Sequence, residues 1–243
     1  MNKLILFIFL LISCSSNDNK KNIPTFDGNN AYQYIVEQCN FGPRNPGSKG
    51  HKEFAIFLEK YLLEFTKNVT VQDFNYIEHI TGIERRGKNI IAQFNIDAEN
   101  RLLIGAHWDT RAFSDEDSDE KNRSLPILGA NDGASGTSVL MELAKIFSQN
   151  NPPMGIDLVF FDAEDVGISG KPKTYAMGSE YFSKNLPIKK PKNAIIVDMV
   201  GDKYLQIPIE RFSYQINPTL VKEIWSLADE LNLRAFEYRI GYE

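Results

Sequence analysis

Cysteine is nearly absent: the 243 residues contain Cys14 and Cys39 and no other. If Cys14 lies outside the folded domain, Cys39 has no partner, which excludes an intramolecular disulfide and leaves stability to the apolar core. No histidine lies near Cys39 in sequence, so it reads as a small buried hydrophobe rather than a nucleophile. Histidine is scarce too, limited to His51, His79 and His107. The apolar run Leu4 to Ile12 is nine residues long, too short for the about 20 needed to cross a bilayer. No Lys/Arg cluster is interleaved with aromatics, and the formal charge is only -5, so nucleic acid is excluded as a partner. What remains is an ordinary globular composition, 42% hydrophobic and 24% charged, at a length that suits one sizeable α/β domain.

The N-terminus is organised differently from the rest. Lys3 precedes the apolar run, and Leu11-Ile12-Ser13-Cys14 resembles a bacterial lipobox, in which the cysteine becomes the lipidated first residue. The expected division is a signal peptide over 1–13, a polar tether over 14–29 and a single domain over 30–243. This places the protein in a bacterial cell envelope, lipid-anchored through Cys14 on the periplasmic or outer-membrane side.

Along the domain, apolar spacing predicts a helix over Asn30 to Cys39 and, after the loop Pro43-Arg44-Asn45-Pro46-Gly47-Ser48, a second helix capped by Ser48. Its buried face would carry Phe54, Phe57, Leu58, Tyr61, Leu62 and Phe65, with His51 solvent-exposed in the first turn. Strands are expected at Val69 to Phe74, Lys88 to Phe94, Leu102 to Ala106 and Leu158 to Phe161. A buried strand is expected at Ala194 to Val197, and further strands at Tyr204 to Ile209 and from Arg234. Helices fall at Thr137 to Phe147, Tyr175 to Ser183 and Pro218 to Leu231, the last with Leu220, Ile224, Leu227 and Leu231 on its buried face. Asp115, Asp117 and Asp119 alternate as at the start of a calcium loop, but Glu120 stands where Gly is needed and Pro126 where Glu is needed. That segment reads as a solvated surface loop. Strands alternating with helices predict an α/β three-layer sandwich with a largely parallel, mixed central sheet.

Chemistry concentrates where strands end. Asp162, Glu164 and Asp165 fall within four residues after the apolar Leu158 to Phe161, with no basic residue among them. Such crowding calls for a bound cation or a retained proton. His107 and Asp109 follow a second apolar run, Asp198 follows a third, and Asp132 sits in the Gly-rich loop Gly129 to Gly136 ahead of a helix. Ligands collect at the carboxyl ends of parallel strands, so one carboxylate-rich metal site accounts for all of them. As a plain helix cap, Asp132 would need no metal.

His107-Trp108-Asp109, Gly129-Ala130-Asn131-Asp132-Gly133-Ala134-Ser135-Gly136, Phe160-Phe161-Asp162-Ala163-Glu164-Asp165 and Val197-Asp198-Met199 resemble the successive motifs of the M28 zinc peptidase family. Pro43 to Ser48 and Met177-Gly178-Ser179-Glu180-Tyr181-Phe182 resemble its glutaminyl-peptide cyclotransferase branch. The resemblance implies a zinc exopeptidase-like fold, one Zn2+ held by Asp132 and Asp165, Glu164 as general acid/base, and Asp198 as the acidic partner of the reacting groups. His107 is a ligand in the two-metal aminopeptidase branch and lies near the metal in the cyclotransferase branch, with Asp109 beside it. A cis peptide at Asp132-Gly133 is also implied. The expected activity is conversion of N-terminal Gln to pyroglutamate with release of ammonia, on peptide or protein N-termini. A metallo-aminopeptidase is the alternative, and a non-catalytic peptide-binding envelope lipoprotein a further one.

One departure stands out. The family takes its last zinc ligand, a His, from a loop well downstream of the Asp198 motif, and no histidine follows His107 here. The resemblance therefore predicts a C-terminally incomplete domain that lacks the last strands of its sheet and binds zinc weakly or not at all.

Overall fold

The computed structural model describes residues 23–241, so the expected signal peptide and the expected lipidation site Cys14 lie outside the described residues. Asp27 caps the first helix, α1 (Gly28–Asn40), by accepting the Asn30 N–H. Ser48 caps α2 (Lys49–Leu63) through the His51 N–H at 3.0 Å, as its position ahead of the apolar stripe predicts. A hairpin of β1 (Val69–Ile77) and β2 (Glu84–Phe94) follows, longer than the apolar pattern alone suggests. Its outer half is polar, and at Gly87 a Cβ would lie 2.3 Å from the Phe74 ring. Only glycine lets that ring lie flat across the hairpin.

The central sheet runs β1-β2-β4-β3-β5, with β3 at Arg101–His107, β4 at Gly155–Phe161 and β5 at Asn193–Ile196. It is mixed: β1/β2 and β2/β4 pair antiparallel, β4/β3 and β3/β5 parallel. The parallel part is the half that matters for chemistry, since all three carboxyl ends point the same way. Alternation along the strands divides two cores. Ile90, Ala92, Ile104, Ala106, Leu158 and Phe160 pack with Phe54, Leu58 and Leu62 of α2 and Leu140, Met141 and Ala144 of α3 (Ala134–Gln149). Ile91, Leu103, Val159 and Phe161 face the other way, onto Phe182 of α4 (Met177–Lys184). Helices on both faces make the predicted three-layer sandwich.

Two expectations change at the C-terminal end. β5 is not a buried strand but the sheet's edge, with Ile196 61% exposed, because β3 pairs with one side of it and nothing among the described residues pairs with the other. Beyond it, β6 (Ile207–Glu210) and β7 (Phe236–Gly241) form a separate parallel pair around α5 (Arg211–Ile216) and α6 (Pro218–Glu230). The buried face of α6 is Val221, Trp225 and Ala228 rather than the leucine row, and Leu227 is exposed. Trp225 sets that rotation by packing edge-on against Phe236 while its indole N–H donates to Glu237 O at 3.0 Å. Cys39 is half-buried and free.

Candidate metal centre

Each chemical residue anticipated at a strand end sits at the carboxyl edge of the parallel strands. His107 closes β3, Glu164 and Asp165 follow β4, Asp198 follows β5, and Asp132 lies in the loop between β3 and α3. Backbone bonds carry the ladder past the formal strand ends: Trp108 N–H donates to Phe161 O at 3.0 Å and Val197 N–H to Gly105 O at 2.8 Å. The loops therefore start from fixed points.

His107, Asp132 and Asp198 come together, each offering one ligand atom with all three within 4.8 Å of one another. The His107 Nε2 lies 2.9 Å from an Asp132 oxygen and 3.3 Å from an Asp198 oxygen. Yet neither ring nitrogen of this buried histidine has a hydrogen-bond partner of acceptable angle. A buried nitrogen left unsatisfied between two carboxylates suits a cation, and tetrahedral ligands at about 2.0–2.1 Å stand about 3.3 Å apart. The donor set, one imidazole and two carboxylates, fits a divalent metal. Without a cation, burial alone would lower the His107 pKa, but Asp109, Asp132 and Asp198 together raise it well above the ordinary value. Burial would raise Asp198, and the His107 imidazole 3.3 Å away holds it below the usual carboxylate range.

Asp132 is not a helix cap. Gly133 occupies the cap position of α3 without a side-chain bond, and the Asp132 carboxylate turns to His107. The implied cis peptide is not found either: all peptide bonds among the described residues are trans, and the chain turns instead through Gly133 at φ 90°. A Cβ there would lie 2.5 Å from Asp109 O. At Gly136 a Cβ would lie 2.2 Å from Val197 O, so the first turn of α3 packs directly on the exit of β5. Ser135 Oγ accepts the Val200 N–H and Asn131 Oδ1 the Gly201 N–H, which ties the Asp198 loop to the Asp132 loop.

Asp109 is fully buried and its two oxygens accept the backbone N–H of Glu164 at 3.0 Å and of Asp165 at 3.2 Å. It shapes the acidic loop. Asp165 is bonded to Arg111 Nη1 at 3.1 Å, and Arg111 also grips Asp115. Burial, with Asp132 and Asp109 nearby, pushes Asp165 up to about 7 against the pull of Arg111. Glu164 is pushed up to about 8, chiefly by burial; His107 opposes this, while Asp109, Asp165 and Asp198 add to it. Burial first and the neighbouring carboxylates second thus let these two carboxyls hold protons to higher pH when no cation is bound.

His51 overturns its expected exposure. It is 6% exposed, its Nε2 lies 2.9 Å from Asp162 Oδ1, and its ring stacks on Trp108 at 4.5 Å. The cap at Ser48 turns the first helical turn inward over the strand ends, where an imidazole can meet a carboxylate with no other charged partner. Asp162 Oδ2 also accepts the Lys88 N–H at 2.7 Å, and Oδ1 the Ala163 N–H at 2.7 Å. Ala163, at φ 54°, begins the turn that presents Glu164 and Asp165. Sequence reasoning missed this pair, along with Arg44, Asn131 and Arg111. The loop around Arg44 was a visible signal; the others have none at short range.

A mixed α/β sheet with an imidazole and several carboxylates converging at its parallel strand ends makes an exopeptidase-like fold with a candidate metal centre. The chain belongs to peptidase family M28, whose model matches residues 89–240. It is similar to Bacteroides thetaiotaomicron glutaminyl cyclase bound to N-acetylhistamine, with 36% identity and a TM-score of 0.87 over 90% of this chain and 78% of that one. It is also similar to a leucine aminopeptidase precursor from the same organism, with 37% identity and a TM-score of 0.86 over 90% and 79%. A glutaminyl-peptide cyclotransferase-like protein of Bos taurus is 26% identical over 150 residues, which are 58% of this chain and 37% of that protein. The chain thus spans about two fifths of the length of that relative.

Proposed function

We propose that the protein is a zinc-dependent glutaminyl-peptide cyclotransferase that converts an N-terminal Gln to pyroglutamate and ammonia. The observation that carries this reading is Glu164, a half-buried carboxyl with a pKa pushed up to about 8, beside the His107, Asp132 and Asp198 cluster. The glutaminyl cyclases among its structural relatives support the same choice. His107, Asp132 and Asp198 would hold the metal, with Asp165 close by. Zinc, when bound, supplies Lewis-acid polarisation of the substrate's side-chain amide carbonyl. Glu164 in its ionised form accepts a proton from the α-amine as nitrogen bonds to the amide carbon, then returns it as the carbon to amide-nitrogen bond breaks and ammonia leaves. Both reacting groups belong to one residue, so orientation supplies much of the rate.

A second reading is favoured by one observation: His107 is part of the cluster, as in the two-metal aminopeptidase branch. There Glu164 would take its proton from water. An assay with Gln-initiated and Leu-initiated peptides separates the two. Pyroglutamate and ammonia from the first, abolished in Glu164→Gln, support the cyclotransferase; release of free leucine from the second supports the aminopeptidase. Loss of neither product in Glu164→Gln would refute the role of Glu164. The reading includes an envelope location through lipidation of Cys14, supported by the Leu4 to Ile12 run and checked by release of Cys14→Ser from the membrane fraction.

A further inference from the structure

Arg44 is fully buried and has no carboxylate within ion-pair distance among the described residues. Its guanidinium donates only to backbone carbonyls: Nε to Trp108 O at 3.1 Å, Nη1 to Gln38 O and Leu128 O at 3.2 Å each, and Nη2 to Gly129 O at 2.9 Å. Its own N–H donates to Thr110 Oγ1 at 2.9 Å. A buried cation without an anion is costly, and an apolar side chain would fill the same volume without that cost. The planar fork does what an apolar side chain cannot: it holds several acceptors at fixed angles.

The acceptors identify what is held. Trp108 directly follows His107, while Leu128 and Gly129 stand four and three residues ahead of Asp132. One guanidinium therefore spans the His107 turn and the Asp132 loop from behind. Thr137 Oγ1, which donates to His107 O at 2.8 Å, is a second tie between the same segments.

We infer that Arg44 is a positioning residue that clamps the His107 turn to the Asp132 loop and so sets the spacing on which metal affinity depends. The inference rests on the metal-centre reading above. Lysine at this position keeps the charge but loses the fork, so Arg44→Lys is the decisive variant and Arg44→Met a second. Arg101→Lys is the control: Arg101 is as deeply buried, pairs with Asp157 at the opposite end of β3, and touches no part of the metal centre.

The experiment measures zinc dissociation constants by competition titration, and hydrogen exchange of metal-free protein, both well below each variant's melting temperature. Arg44→Lys is expected to bind zinc about 10- to 100-fold more weakly than wild type. Exchange should rise in 128–136 and 107–111 while β4 stays protected. Arg101→Lys should lower the melting temperature and leave zinc affinity within twofold. If Arg44→Lys keeps wild-type affinity and wild-type exchange in 128–136, or if Arg101→Lys weakens zinc equally, the clamp is wrong. If wild type binds no zinc, the metal reading fails on its own, and exchange in 128–136 still decides whether Arg44 holds the loop.

Discussion

Replacing His51 by alanine tests whether the acidic loop is held from below. Asp162 is completely buried and accepts three donors, of which His51 is the only side chain. Losing one bond to a charged acceptor costs about 1.5–3 kcal/mol, and stripping a buried charge of its partner costs about 3–5 kcal/mol. Asp162 keeps the Lys88 and Ala163 N–H groups, which favours the lower range; the ring lost from the face of Trp108 adds about 0.5–1.5 kcal/mol. We expect His51→Ala to destabilise the fold by about 3 kcal/mol, a fall of about 6–12 °C in melting temperature for a domain of this size. His51→Gln offers an amide N–H near the position of Nε2 and should recover about half. Urea denaturation gives the free energies, and turnover on a Gln-initiated peptide gives the consequence for Glu164, two residues beyond Asp162. A loss below about 1 kcal/mol in His51→Ala, or no recovery in His51→Gln, would refute the account of the pair.

Metal-free protein should lose stability as pH rises. Glu164 at about 8 and Asp165 at about 7 bind protons in the folded state that the unfolded chain has released above about 4.5, and His107, raised by its carboxylates, acts in the same sense above about 6.5. The expected fall is on the order of 10–20 °C between pH 5 and pH 8 by calorimetry in chelator, and added zinc should abolish the slope; a flat or rising chelated profile refutes it. Gly133→Ala places a Cβ against Asp109 O at a positive φ, so it should cost about 2–3 kcal/mol and weaken zinc binding, read by melting temperature and titration together.

The architecture was legible because it is repetitive. Apolar runs end in polar chemistry at Ala106-His107, Phe161-Asp162 and Val197-Asp198, and a buried parallel sheet carries that pattern in consecutive residues. What was not legible depends on contacts far apart in the chain. His51 lies 111 residues from Asp162, and nothing within a helical turn of it announces a buried acceptor. The rotation of α6 is set by Trp225 meeting Phe236, so Leu227 points outward and Leu220 and Ile224 are only half-buried, against their own periodicity. β5 reads as buried because Ile195, Ile196 and Val197 are apolar, and composition cannot distinguish a strand flanked on both sides from one at an edge. The carboxylate roles divide for the same reason: Asp109 and Asp162 carry the same side chain as Asp132, but theirs are taken up by backbone N–H groups.

Trp108, stacked on His51 and lodged between His107 and Asp109, has one further consequence. Its indole is an optical reporter built into the centre. The chain has one other tryptophan, Trp225, on α6 against β7. In a Trp225→Phe background a single emitter remains, and its quenching by the imidazole beneath it follows that ring's charge and distance. Cation loading, loop release and unfolding would then be read as three separate changes in one fluorescence signal, with no label attached.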